Sequence, residues 1–274
     1  MKSEADFKDK VVVVTGAAGG LGEALCKRFI KMGARIAALD KDVDGLKTLQ
    51  EKFNTTGVVC KTYACDVTKS EECFSTIAEV ISDLGDIYIV CNNAGMAHRS
   101  AFRKTDISVF DRIIAVNLLG AMYCTRASIE SVIKTGGAVI GIASIAGFAP
   151  LCGRTGYAAA KHGLAGFLNT LRTEMEGTDV SVLLVYAQYI QTNIDKNALD
   201  ADGNPNKNEK TTTGSVLMPD EAAEHIINAL LTEERQLLLG EIAKMSWDIY
   251  HSDPATYEKF MMEQNRYVLE QDRF

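Results

Sequence analysis

From Val11 onward the chain repeats one pattern, a short apolar or β-branched run followed by a longer segment with apolar residues at helical spacing. Val11–Val14 leads into Leu21–Met32, Arg35–Leu39 into Val43–Phe53, and Val58–Ala64 into Glu71–Leu84. Ile87–Cys91 precedes a long helical pattern over Phe110–Ile133. Ala138–Ala143 precedes Tyr157–Glu176, and Val180–Tyr186 closes the series. Strands apolar on both faces need cover on both, and a helix between strands lets each successive strand pair in parallel. The pattern predicts an α/β fold built on a doubly wound parallel sheet. Ligands of such sheets bind beyond the carboxyl ends of the strands.

After Tyr186 the pattern changes. Residues 193–215 are polar, with the turn cluster Asp202-Gly203-Asn204-Pro205-Asn206. A loop of that length in a compact domain is usually functional or disordered. Pro219 then opens a helix over Asp220–Leu231, Gln236–Leu239 reads as a last strand, and Glu241–Phe274 as a helical tail. The expected organisation is one domain over 1–240, with a lid near 193–215, and a tail over 241–274. In the tail Ile242, Met245 and Ile249 recur at helical spacing, as do Tyr257, Phe260, Met261 and Val268. The tail is expected to pack on the domain or on a second subunit. A wall for an apolar substrate and a membrane-surface contact are the alternatives.

The 274 residues carry 29 Lys and Arg against 36 Asp and Glu, a net charge of −7, with 47% hydrophobic residues. That excludes a disordered chain and argues against a nucleic-acid partner. No apolar run approaches the ~20 residues of a membrane span, so none is expected. Residues 1–10 are polar and lack a secretory core, which makes a cytoplasmic location the expectation. The seven cysteines show no Cys-x-x-Cys spacing and the four histidines are scattered, so no metal site is expected.

Thr15-Gly16-Ala17-Ala18-Gly19-Gly20-Leu21-Gly22 joins the first strand to the first helix. Glycines there allow a tight turn and close approach to a pyrophosphate, and the helix N-terminus offers free N–H groups to the anion. Asp40 ends the second strand. A carboxylate at that point can bind both adenosine ribose hydroxyls and repel a 2′-phosphate, which points to NAD as the cofactor. No Arg or Lys lies within Gly16–Gly22; Lys41 is the nearby cation.

Together with Asp66-Val67, Asn92-Asn93-Ala94-Gly95, Asn117, Ser144 and Tyr157-Ala158-Ala159-Ala160-Lys161, this turn resembles the short-chain dehydrogenase/reductase superfamily over about residues 10–192. The resemblance implies a Rossmann-like fold. It implies cofactor contacts at Gly16, Gly20, Leu21, Gly22, Asp66, Val67, Asn93, Ala94, Gly95, Ile190 and Thr192, and a proton-relay water on Asn117. It also implies a homodimer or homotetramer built on the helices Phe110–Ile133 and Tyr157–Glu176.

The chemistry of the residues agrees. Tyr157 and Lys161, four apart, share one helix face about 6 Å from each other. A free tyrosine has a pKa of about 10, and a neighbouring ammonium with an oxidised nicotinamide favours its phenolate. Ser144 can hold the substrate oxygen while Tyr157 exchanges the proton. Lys161 would also bind the nicotinamide ribose. Where the family has Pro-Gly after the sixth strand, this chain has Ala187-Gln188. Gln188 is unfavourable there if the backbone needs positive φ, and Gln188 or Tyr189 is expected to face the substrate. The expected substrate is a secondary alcohol or ketone with a largely apolar, medium-to-bulky body. Its candidate walls are Phe148, Leu151, Tyr189, the lid and the tail around Trp247 and Tyr250, with His98 and Arg99 as cations for an acidic group. The alternatives are a small secondary alcohol or sugar dehydrogenase and a non-catalytic dinucleotide-binding sensor or scaffold.

Overall fold

The computed structural model describes residues 3–54, 57, 59–194, 197–206 and 215–265. Seven strands run in the order β3-β2-β1-β4-β5-β6-β7, every neighbouring pair parallel. They are β1 Val11–Thr15, β2 Arg35–Asp40, β3 Cys60–Ala64, β4 Ile87–Asn92, β5 Ala138–Ile142, β6 Ser181–Ala187 and β7 Gln236–Leu239. The doubly wound sheet is thus as the alternation predicts. The start of the third run, Val58, lies outside the described residues.

Period-two alternation distributes each strand between two cores. Val12 and Val14 of β1, Ile36 and Ala38 of β2, and Leu183 and Val185 of β6 join one core. Val11 and Val13, Ala37 and Leu39, and Val182 and Leu184 join the other. The first core is closed by α1 (Gly20–Lys31), α2 (Val43–Phe53) and α7 (Pro219–Leu231). The second is closed by α3 (Ser70–Leu84), α5 (Gly120–Thr135) and α6 (Thr155–Glu174).

The long fourth helix starts earlier than its apolar spacing suggests. Asp106 caps α4 (Ile107–Ile114) by accepting the Ser108 N–H at 2.8 Å. A π turn over Ala115–Leu119 then joins α4 to α5. Such turns hold one residue more than an α turn and recur at functional sites. The combined helix, Ile107–Thr135, passes the length and composition test for a membrane span, with a mean hydropathy of 1.5 in its best window. This corrects the expectation that no segment comes close. In the fold 33% of that window is buried, and Val109, Ile113, Cys124 and Val132 lie in the cores.

The described part of the tail is helical, as its apolar spacing predicts. It is two helices, α8 (Glu241–Ser252) and α9 (Pro254–Gln264). Pro254 cannot continue α8 because it lacks an N–H, and Asp253 caps α9 by accepting the Thr256 N–H at 3.1 Å. Residues 266–274 lie outside the described residues. Of the polar 193–215 segment, the described part 197–206 is pinned to the loop after β4. Leu199 donates to the Ala97 carbonyl at 2.9 Å, Arg99 donates to the Leu199 carbonyl at 2.8 Å, and Asp106 donates to the Ala201 carbonyl at 2.8 Å.

Candidate active site

The carboxyl ends of the strands open into a cleft of about 680 Å³. It spans the point where the chain leaves β1 and β4 towards opposite edges of the sheet, the switch point at which such folds bind ligands. Asp40, at the end of β2, and Ser144, just beyond β5, are three strand spacings apart in the sheet order. That is ~14 Å, the scale of an extended dinucleotide.

One side of the cleft is the glycine turn. Gly16 has φ +65, a backbone conformation open to glycine, and a Cβ on Gly22 would lie 2.1 Å from the Gly16 carbonyl oxygen. Bare backbone therefore forms this wall, and Gly19 stands at the N-cap of α1 with its unpaired N–H groups. Asn93 stitches the turn to β4. Its Nδ2 donates to the Thr15 carbonyl at 2.9 Å and the Gly16 carbonyl at 3.1 Å. The Thr15 hydroxyl in turn accepts the Asn93 and Ala94 N–H groups at 3.1 and 3.0 Å. Asn93 thus lines the cleft with its amide N–H donors spent on holding the turn.

Asp40 accepts the Ala18 N–H at 3.0 Å on one oxygen and the Asp42 N–H at 3.0 Å on the other, which fixes its carboxylate at the mouth of the turn. Beside it, burial opposes ionisation of Asp66. The N–H and hydroxyl of Thr68, at 3.0 and 2.8 Å, together with the charges of Lys69 and Lys41, outweigh that and hold the carboxyl below its usual range. Val67 packs on Gly120, where a Cβ would lie 2.8 Å from the Val67 Cγ2.

At the other end, Ser144, Tyr157 and Lys161 line the same cleft. Ser144 caps a short 3-10 turn over Ile145–Gly147, its Oγ accepting the Ala146 N–H at 3.3 Å, so its own proton can be donated elsewhere. Tyr157 lies in the first turn of α6 and Lys161 one turn further along, its Nζ 5.7 Å from the tyrosine ring centroid. The Lys161 ammonium donates to the Ile142 carbonyl at 2.7 Å. Burial brings its pKa down to about 8.

Asn117 lies within the π turn and is buried. Its Nδ2 donates to the Met96 and Ile113 carbonyls, both at 2.9 Å, and its Oδ1 accepts the Met96 N–H at 3.3 Å. It sits behind Gly95, where a Cβ would lie 3.1 Å from the Asn117 Oδ1 and 3.8 Å from the Lys161 Nζ. Among the expected catalytic and cofactor-binding residues it is the one outside the cleft lining. Its amide braces the loop that passes over Lys161.

Several walls differ from expectation. Leu151 and Tyr189 line the cleft, whereas Phe148, Trp247 and Tyr250 do not. Phe148 packs on Trp247 and on Tyr186, with ring centroids 4.9 and 5.1 Å apart, and Tyr250 packs on Tyr257 at 5.5 Å. These aromatics fasten α8 and α9 to the domain, and Phe260, Met261 and Gln264 of α9, with Asn265 just beyond it, reach the cleft. Gln264 and Asn265 were not recognised in the sequence, and neither were Cys152 and Arg154. The break at Asp253-Pro254 was the available signal that the tail folds back. His98 is no cation: burial, with Arg154 nearby, lowers its pKa to about 4. Arg99 does line the cleft. Gln188 needs no glycine, since Asp9 and Glu233 are the non-glycine residues of positive φ among those described. It lines the cleft beside Tyr189, with both ends of its amide bound within the protein, to Ser215 and Ile242. Ile190 pairs in a bridge with Leu217. Thr192 approaches Gly20, where a Cβ would lie 3.3 Å from the Thr192 Cγ2.

A backbone-lined anion turn at one end and a Ser, Tyr and Lys group at the other define a dinucleotide-dependent oxidoreductase. The comparisons agree, and the chain belongs to the short chain dehydrogenase family, whose pattern it matches over residues 10–203. It is 30% identical over 247 residues to dehydrogenase/reductase SDR family member 7B of Xenopus tropicalis, spanning 88% of this chain and 80% of the relative. It is 27% identical over 254 residues to dehydrogenase/reductase SDR family protein 7-like of Drosophila melanogaster, 90% of this chain and 78% of that one. Among solved structures, an alcohol dehydrogenase from Thermococcus sibiricus complexed with 5-hydroxy-NADP superposes with a TM-score of 0.72 at 26% identity. It covers 83% of this chain and 93% of its own. A short chain dehydrogenase/reductase from Burkholderia phymatum in complex with NAD shares the fold, with a TM-score of 0.80 at 19% identity over 90% of this chain and 94% of its own.

Proposed function

We propose that this chain is an NAD-dependent dehydrogenase that interconverts a secondary alcohol and its ketone, with a mostly apolar, medium-to-bulky substrate. The observation that carries the reaction is the meeting of Ser144, Tyr157 and Lys161 at one end of a cleft whose other end is the glycine turn. The bound dinucleotide supplies the hydride acceptor or donor. Gly16, Gly20, Leu21 and Gly22 hold its pyrophosphate, Asp40 its adenosine ribose and Lys161 its nicotinamide ribose. Ser144 donates a hydrogen bond to the substrate oxygen, which orients the reacting carbon. Tyr157 takes the alcohol proton or returns it, and the Lys161 ammonium favours the phenolate that this requires.

Asp40 supports NAD over NADP, because a fixed carboxylate pairs with ribose hydroxyls and repels a 2′-phosphate. The expected result is a higher kcat/KM with NAD(H), and a relative gain of roughly ten-fold or more for NADP(H) in Asp40→Ser, the factor of ~1.4 kcal/mol. Equal use of the two cofactors by the parent protein would remove Asp40 from the ribose site.

The apolar substrate body is supported by Leu151, Tyr189, Ile242, Phe260 and Met261, which line the same cleft as Tyr157. A second reading, an acidic group on the same substrate, has Arg99 and Arg154 in its favour, since both line the cleft. A panel of alcohols and ketones separates the two. We expect the highest kcat/KM for a bulky apolar substrate, little changed in Arg99→Ala. A small hydroxy acid or sugar phosphate as best substrate, lost in Arg99→Ala, would refute the apolar assignment.

A further inference from the structure

We propose that Gln188 is a positioning residue that fastens the chain returning at Ser215 to the N-terminus of α8, so that both move as one wall of the substrate end. The inference rests on the reading of that end as the substrate site. Gln188 is the first residue after β6 and is 5% exposed. Its Nε2 donates to the Ser215 carbonyl at 2.9 Å and lies 3.2 Å from the Ser215 Oγ. Its Oε1 accepts the Ile242 N–H at 2.8 Å.

The second bond does the work of a helix cap. Gly240 is the N-cap of α8 and has no side chain with which to satisfy the N–H groups of the first turn. A Ser or Asp at the N-cap would accept the N–H two or three residues on. Here the acceptor comes from Gln188, on another part of the chain. The two residues are shaped for each other. Gly240 has φ +95, and a Cβ built on it would lie 2.2 Å from both Cδ and Oε1 of Gln188. The Gln188 amide therefore occupies the space that a side chain at Gly240 would need.

The first bond holds the other wall. Beyond Ser215 the chain runs beside Tyr189–Gln191, with Leu217 donating to the Tyr189 carbonyl at 3.1 Å and Gln191 donating to the Leu217 carbonyl at 2.9 Å. Tyr189 and Ile190 line the cleft from this ladder, and Ile242 lines it from α8. One buried amide thus ties together two segments that are distant in sequence. Each bond uses a different end of that amide, so the two can be broken separately.

Trp247, the single tryptophan, lies in α8 and reports its docking. Hydrogen exchange of a peptide covering Ser215–Met218 reports the other wall. In Gln188→Leu we expect Trp247 emission to shift to the red and exchange in 215–218 to rise by about ten-fold, as the loss of a buried amide's bonds implies. KM for the best bulky substrate should rise by a similar factor, with kcat within about two-fold and NAD affinity unchanged. Gln188→Glu keeps the acceptor for Ile242 and loses the donor to Ser215. At pH 8, where a carboxylate beside a helix N-terminus is ionised, it should speed exchange in 215–218 and leave Trp247 emission as in the parent. Unchanged probes in Gln188→Leu, or equal release of both walls in Gln188→Glu, would overturn the proposal. Emission and exchange need no substrate, so an error in the substrate class leaves them readable. A shifted probe pair with KM unchanged would overturn the link to substrate binding alone.

Discussion

Tyr157→Phe should lower turnover by ~10²–10⁴, the usual worth of a positioned acid or base, while NAD affinity stays within several-fold of the parent. The ring would remain packed, because Tyr157 is 9% exposed in a cluster with Ile113, Ala146, Ala160 and Leu199. Only the hydroxyl is lost from the cleft. The glycine turn is stitched by Thr15 and Asn93 and does not depend on α6. Steady-state kinetics and a cofactor titration check the two halves separately. Retention of more than a tenth of the activity would assign the proton transfer to another group.

Lys161→Met should abolish most of the activity and yet stabilise the folded chain at neutral pH. Burial moves the Lys161 ammonium from its ordinary 10.5 to about 8, a cost to the charged form of ~3 kcal/mol. Removing the amine also strands the Ile142 carbonyl, which returns ~1–2 kcal/mol. The net gain is ~1 kcal/mol, an increase in Tm of about 2–4 °C. The sign follows from proton binding. Between pH 8 and 10.5 the folded parent holds fewer protons on Lys161 than the unfolded chain, so its stability rises with pH. The advantage of Lys161→Met is therefore full below pH 8 and fades towards 10.5. Thermal unfolding of both proteins across that range measures it. A parent that is more stable than Lys161→Met at pH 7 would mean that the buried ammonium is held by more than the Ile142 carbonyl.

The shared face of Tyr157 and Lys161 was readable from their spacing, because positions four apart on a helix lie together whatever surrounds them, and their roles followed from the resemblance carried by the whole set of motifs. The division of the tail was not readable. Its apolar residues recur at helical spacing on both sides of Asp253-Pro254, and they fit one long helix or two short ones until the cap and the missing Pro254 N–H are considered together. The aromatic residues were placed by type and not by direction. Phe148, Trp247 and Tyr250 suit a substrate wall as well as a core, and the packing of α8 on Tyr186 and Phe148 turns them inward. His98 reads as a cation beside Arg99, and its burial, with Arg154 nearby, makes it neutral.

The sequence by itself determined the sheet, its parallel direction, the glycine turn and the Tyr157–Lys161 pair. These depend on period-two and period-3.6 patterns and on backbone limits that act within a few residues. Tertiary structure alone decided what Gln188 does, where the tail lies and which side chains wall the cleft. Each of those is settled by groups far apart in the chain, as when an amide at 188 meets a carbonyl at 215 and an N–H at 242. Local spacing carries no information about which distant group will satisfy a buried donor, because that match exists only once the sheet has brought β6 and β7 side by side.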